Sequence, residues 1–121
     1  MSRQILIVDD HEALREAMKT WITGLYPDIE VFQASDGEGA VELCQQEYFD
    51  LVLLDLGLPG MSGFEAIAEI KKYHPNIPIA VVTINEGSLF EQRALESGAD
   101  EFITKRTVYT RLPDILDSYL C

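Results

Sequence analysis

In Phe49-Asp50-Leu51-Val52-Leu53-Leu54-Asp55-Leu56-Gly57-Leu58-Pro59-Gly60-Met61-Ser62-Gly63, an apolar run ends abruptly on a carboxylate. A loop rich in Gly and Pro follows, and then a helix start. Leu51 to Leu54 show no polar alternation, which predicts a strand buried on both faces, as in a parallel sheet. Asp55 then stands at the carboxyl end of that strand, the edge where open α/β sheets carry ligands and chemistry.

Similar units flank this one. Ile5 to Val8 is a short β-branched run bounded by Asp9-Asp10, the expected first strand. Leu14, Ala17, Met18, Trp21, Ile22 and Leu25 follow at helical spacing, with Trp21 expected in the core and the helix over before Pro27. Ile29 to Phe32 predicts a second strand. Ser35-Asp36-Gly37-Glu38 fits a capping box with Ser35 as N-cap, opening a helix that buries Ala40, Val41 and Cys44. Ser62-Gly63-Phe64-Glu65 fits a second box, followed by Phe64, Ile67 and Ile70 on one face. Ile79 to Thr83 predicts a fourth strand. Leu89, Phe90, Ala94 and Leu95 suggest a fourth helix closed by Gly98. Glu101 to Thr104 predicts a fifth strand ending at Lys105. Val108, Leu112, Ile115, Leu116 and Tyr119 mark a last helix, and Pro113 argues that it starts late, near Thr110. Five alternating β-α units imply a doubly wound (βα)5 parallel sheet covered on both faces. Its simplest order is the flavodoxin-like 2-1-3-4-5.

The 121 residues fit one domain, residues 1–121, with no linker or effector segment. The net charge of −12, from 21 acidic and 9 basic residues, disfavours nucleic-acid binding and docking on anionic membranes. It suits a divalent cation or a basic protein partner. No signal peptide or bilayer-spanning run is apparent. Cys44 is expected as a buried small hydrophobe and Cys121 as a free terminal thiol, so a reducing cytoplasm is the default compartment.

In the order 2-1-3-4-5 the first and third strands are neighbours, so Asp9, Asp10 and Asp55 meet at one edge. Three carboxylates there repel, and a proton or a hard cation relieves the repulsion. Mg2+ takes oxygen ligands and keeps waters that phosphate oxygens can replace. A strand-end carboxylate beside it can attack phosphorus and form an aspartyl phosphate. Thr83 and Lys105 end the fourth and fifth strands, where a hydroxyl and an ammonium can meet phosphoryl oxygens. Taken singly, Asp9-Asp10 could cap a helix, Asp55 could precede a turn, and Thr83 and Lys105 could be ordinary strand and surface residues. His11 is expected as a first-turn surface residue and His74 as a helix-end charge. Those separate readings do not explain why all these positions fall at successive strand ends.

Val8-Asp9-Asp10, Leu53-Leu54-Asp55 with its loop to Gly63, Val82-Thr83, and Gly98-Ala99-Asp100-Glu101-Phe102-Ile103-Thr104-Lys105 together resemble the receiver domain of two-component response regulators. The likeness covers essentially the whole chain. It implies that Asp55 accepts a phosphoryl group from a sensor histidine kinase. It implies Mg2+ on Asp10, Asp55 and the Gly57 backbone carbonyl, with Asp9 acting mainly through water. Thr83 and Lys105 would hold the phosphoryl group. Thr83 and Phe102 would form the conformational switch, with Phe102 turning inward on phosphorylation. Such a domain is no enzyme beyond its own phosphorylation and dephosphorylation. It controls an output domain or partner and can form a homodimer. Asp-Asp-His at residues 9 to 11, with the run from Pro27 to Gly37, is most similar to the subfamily carrying a C-terminal helix-turn-helix output domain, which implies transcriptional regulation.

Three departures from the family pattern matter. Ile84 stands where Ala or Gly is common and would narrow access to Asp55. Arg106 replaces a frequent proline, so no cis bond is expected there. Gly57 has no side chain to orient water, which leaves Asn85 alone and implies a long-lived phosphate. Other classes fit less well. An FMN-binding carrier would need a phosphate loop where Asp9-Asp10-His11-Glu12 repels phosphate. A haloacid-dehalogenase-like phosphatase wants an Asp where Gly57 stands. The remaining alternative is a phosphorylation-independent binding module on the same fold.

Overall fold

The structure is a computed structural model that describes residues 3–120; the predicted terminal thiol of Cys121 lies outside them. Ten elements alternate: β1 (Gln4–Val8), α1 (Glu12–Leu25), β2 (Glu30–Ala34), α2 (Gly37–Gln46), β3 (Leu51–Leu54), α3 (Gly63–Tyr73), β4 (Ile79–Thr83), α4 (Ser88–Ser97), β5 (Glu101–Thr104) and α5 (Val108–Leu120). All strand pairs are parallel, in the order β2-β1-β3-β4-β5. This is the flavodoxin-like (βα)5 arrangement expected from the alternation.

The pleat sends alternate strand residues into two separate cores. Leu6, Val8, Val52, Leu54 and Val81 pack with Ala40, Cys44, Ile67, Ile70 and Ala94, on the side covered by α2, α3 and α4. Ile5, Ile7, Leu51, Leu53, Ala80 and Val82 pack with Met18, Ile22, Leu112 and Leu116, on the side of α1 and α5. All four residues of β3 are buried, which is why its sequence shows no alternation.

Two acids serve the fold alone. Asp50 Oδ2 accepts from the Gln4 backbone N–H at 2.8 Å. Asp100 Oδ2 accepts from the Ile79 N–H at 2.9 Å and pairs with Lys71 at 2.9 Å. Each satisfies a strand-start donor that no neighbouring strand reaches. Gly63 shapes the far side of the Asp55 loop. A Cβ there would fall 2.5 Å from Leu56 Cα and 2.9 Å from the Asp55 carbonyl oxygen. Only glycine lets α3 begin this close to the end of β3.

Several local expectations are corrected. Helix α2 is capped by Asp36, not Ser35: its Oδ1 accepts from Gly39 N–H at 2.7 Å, and a carboxylate is the stronger acceptor at a helix N-terminus. The box at Ser62 and Glu65 is present with both its bonds. Strand β2 extends to Ala34, which pairs with Val8. Helix α5 starts at Val108 rather than near Thr110, because the Thr107 carbonyl accepts from both Thr110 and Arg111 and closes a turn early. Pro113 therefore lies inside the helix. The stripe on α1 is narrower than expected: Met18 and Ile22 are buried, Trp21 is half-buried edge-on against Tyr109, and Ala17 and Leu25 are exposed. Helix α4 departs most. Of its expected apolar face only Ala94 is buried, and Leu89 is 80% exposed.

Candidate functional site

Val8 pairs with Leu54, so the next residues, Asp9 and Asp55, emerge side by side at the carboxyl edge. Asp55 N–H donates to the Val8 carbonyl at 2.9 Å, and Asp9 N–H to the Ala34 carbonyl at 3.1 Å. Both acids are buried. Lys105 follows β5, with its backbone N–H on the Thr83 carbonyl at 2.7 Å. Its Nζ lies 2.9 Å from Asp9 Oδ2 and 3.4 Å from Asp55 Oδ2. Asp10 is the open member of the group, with its Oδ1 3.2 Å from His11 Nδ1. Ligand atoms of Asp9, Asp10, His11 and Asp55 all lie within 4.8 Å of one another.

The charges at this edge stabilise one another. Burial alone would raise the Asp9 carboxyl, but the His11 backbone N–H, the Lys105 ammonium and the His11 ring together hold it below its ordinary 3.8. Burial would likewise lower the Lys105 ammonium, but its contacts with Asp9 and Asp55 hold it above 10.5. Asp9 is thus a carboxylate with both oxygens occupied: Oδ1 accepts from the His11 N–H at 2.9 Å, and Oδ2 faces Lys105. Asp55 has one oxygen on Lys105, and Asp10 is only lightly engaged. The donor set is hard oxygen throughout apart from the imidazole, which fits Mg2+.

Thr83 is fully buried at the end of β4, and its Oγ1 accepts from Asn85 N–H at 3.1 Å and from Asn85 Nδ2 at 3.4 Å. The side-chain amide of Asn85 is therefore engaged with the hydroxyl. Phe102 is buried in the α2–α4-side core. Arg111 Nη1 donates to its carbonyl at 2.8 Å. Ile84, next to Thr83, is 74% exposed. A side chain at Gly57 would stand beside the carboxylate, since a Cβ there would lie 3.8 Å from Asp55 Oδ2. Every peptide bond among the described residues is trans, including Lys105–Arg106. Arg106 instead reaches Glu86 at 2.8 Å, linking the loops after β4 and β5.

His11, expected as a first-turn surface residue, is exposed yet turned onto the acids, with Nδ1 2.9 Å from Asp9 Oδ1. Two further residues escaped the sequence analysis. Glu38 reaches the loop after β3, where its Oε1 accepts from Met61 N–H at 3.4 Å. Arg15 reaches the Asp9 carbonyl at 2.5 Å. A cation at the end of a helix's first turn opposes the helix dipole, and that was the available signal.

The carboxyl edge of this (βα)5 sheet thus brings together three acids, a buried hydroxyl and an ammonium. The chain belongs to the response regulator receiver domain family, whose model matches residues 5–117. It is 35% identical over 118 residues to a glycerol metabolism activator of Pseudomonas putida, covering 97% of this chain and 53% of that protein. It is 33% identical over 103 residues to the transcriptional regulatory protein DegU of Brevibacillus brevis, covering 84% of this chain and 43% of that protein. The crystal structure of a LuxR-family two-component response regulator from Aurantimonas sp. SI85-9A1 superposes with a TM-score of 0.89 at 31% identity, covering 98% of this chain and 84% of that one. The chain spans about half the length of the curated relatives it matches. It is a receiver domain of the two-component response regulators.

Proposed function

We propose that Asp55 is the phospho-acceptor in a phosphorelay. A carboxylate oxygen of Asp55 attacks the phosphorus of a phosphohistidine on a sensor kinase. The P–N bond breaks, its electrons pass to the imidazole, and an Asp55 acyl phosphate forms. The observation that supports this is the contact of Lys105 with only one oxygen of an otherwise unpartnered buried carboxylate. Asp10, Asp55 and the Gly57 carbonyl would hold Mg2+, with Asp9 acting through water. The bound ion would draw charge off the transferring phosphoryl group. Lys105 pairs with a phosphoryl oxygen once Asp55 is modified, and the Thr83 hydroxyl donates its proton to another. Thr83 lies on the same face of β4 as Val81, the partner of Phe102. Its movement toward phosphate therefore favours the state in which Phe102 is buried. A population shift of ~1–3 kcal/mol is enough to change a partner surface.

The domain acts in the cytoplasm. It controls an attached output domain or partner, in keeping with relatives named as transcriptional regulators, and homodimerises when phosphorylated. Among the described residues no helix is long and apolar enough to cross a membrane. It performs no chemistry beyond its own phosphorylation and dephosphorylation. Incubation with radiolabelled phosphodonor and Mg2+ tests the assignment. The wild-type chain takes up acid-stable, hydroxylamine-labile label and Asp55→Asn takes up none; label on Asp55→Asn would place the acceptor elsewhere.

A further inference from the structure

Arg15 touches none of the carboxylates, yet it is tied into the edge that carries them. Its Nη1 donates to the Asp9 carbonyl at 2.5 Å, and its Nε donates to Gln33 Oε1 at 3.0 Å. Gln33 Nε2 in turn donates to Glu16 Oε1 at 3.1 Å. The guanidinium thus bridges α1, the turn after β1, and β2, a strand that contributes no side chain to the site. Asp9 is also held directly by β2, through its N–H on the Ala34 carbonyl. Both backbone polar groups of Asp9 are therefore fixed from the same side.

We propose that Arg15 is a positioning residue for the cation site, acting through the Asp9 peptide. The Asp9 carbonyl belongs to the peptide that leads into Asp10, so holding that oxygen sets the direction in which Asp10 leaves the turn. Among the described residues no strand bonds to Asp10, and its carboxylate is the most open of the three acids. The planar fork of an arginine can hold two acceptors at a fixed angle, which a lysine cannot. Capture of the carbonyl by Arg15 also keeps another oxygen pole from adding to the repulsion among Asp9, Asp10 and Asp55.

This inference rests on the proposed cation site, and it carries a sign that separates it from simple charge. As a nearby positive charge Arg15 would weaken cation binding, and its removal would tighten it. As a positioning residue its removal weakens binding. Calorimetric titration of the purified chain with MgCl2 decides between them, using Arg15→Met, Arg15→Lys and Gln33→Leu. Positioning predicts that Arg15→Met and Arg15→Lys each lose about tenfold in Mg2+ affinity, the size seen when a residue that orients a metal ligand is removed. Gln33→Leu, which leaves the Asp9 contact in place, loses less in the same direction. In acetyl phosphate labelling the loss appears as a higher Mg2+ requirement with an unchanged rate at saturation. Unchanged or tighter Mg2+ binding by Arg15→Met, or wild-type affinity in Arg15→Lys, overturns the proposal. Amide exchange of Asp9 and His11 in metal-free buffer provides a second arm: both variants speed exchange if the clamp is real, and equal rates overturn it. A wild-type chain that binds no Mg2+ would instead defeat the cation site itself, and the exchange arm would still judge the clamp.

Discussion

At the acid edge, Lys105 has two buried carboxylates within 3.4 Å, and Asp9 is bonded through its backbone and both carboxylate oxygens. One strand further along the sheet, α4 buries only Ala94 and begins at Gly87 with no side chain capping it. Leu89, Phe90 and Leu95 face solvent, and Arg93 lies over the Phe64 ring at 4.2 Å. Charge is thus held rigidly where chemistry needs fixed distances. A mostly polar helix that buries a single residue lies beside it, and an element with so few buried contacts takes little energy to shift. Thr83 and Asn85 lie between the two regions, at the end of β4 and in the loop that leads to α4.

The contrast can be broken from the acid side first. Lys105→Met removes the ammonium that bridges Asp9 and Asp55, and phosphoryl uptake from a labelled donor is expected to fall by about 10²–10³-fold, as for loss of one transition-state charge partner. A fall of less than threefold would show that the ammonium is not at the reacting group. From the helix side, Ala94→Asp places a charge at a fully buried position. It is expected to cost at least about 3 kcal/mol in urea unfolding, whereas Leu89→Ala on the same helix changes stability by less than about 0.5 kcal/mol. Equal effects would mean that α4 is anchored through its outer face.

The pH dependence sharpens the acid side further. Asp9 is held below 3.8, so its contribution is complete above that value and is lost as pH falls through its lower native one. Lys105 is held above 10.5, so its contribution is complete below that value and is lost as pH rises through its higher native one. The urea midpoint of Lys105→Met should therefore differ most from wild type across the plateau between them, with the difference narrowing at both ends. The smallest expected effect concerns lifetime. With Gly57 bare and the Asn85 amide on Thr83, nothing at these two positions orients water at the acyl phosphate. The phosphorylated chain should persist for minutes or longer, and Gly57→Asn should shorten its half-life by about tenfold, by positioning water beside Asp55. Loss of label from the wild-type chain within seconds would contradict this.

Much of this architecture was legible in the chain itself. β3 and β4 lie where their apolar runs predicted, because strands buried along their whole length read as continuous apolar runs, and the shorter β5 lies where its Phe102-Ile103 pair predicted. The edge residues followed from that, since a polar residue ending such a run must leave the sheet at its carboxyl edge. Helix α4 was harder. Its Leu89, Phe90 and Leu95 have a helical period but point outward, and periodicity alone does not tell which face of a helix a neighbour will cover. The cap of α2 was displaced by one residue because Asp36 and Ser35 are both good caps, and the bond to Gly39 decided between them.

The sequence by itself determined the sheet, its order and the gathering of Asp9, Asp10, Asp55, Thr83 and Lys105 at one edge, because hydrophobic patterning places strands and strand ends place those residues. Only the tertiary structure decided how they are held. The Lys105 bridge to Asp9 and Asp55 spans strands far apart in the chain. The grip of Arg15 on the Asp9 carbonyl depends on a side chain crossing from α1, and the place of Phe102 depends on packing against elements it never adjoins in sequence. Contacts of that kind arise from chain-distant groups brought together by burial, and no local pattern of residues encodes them.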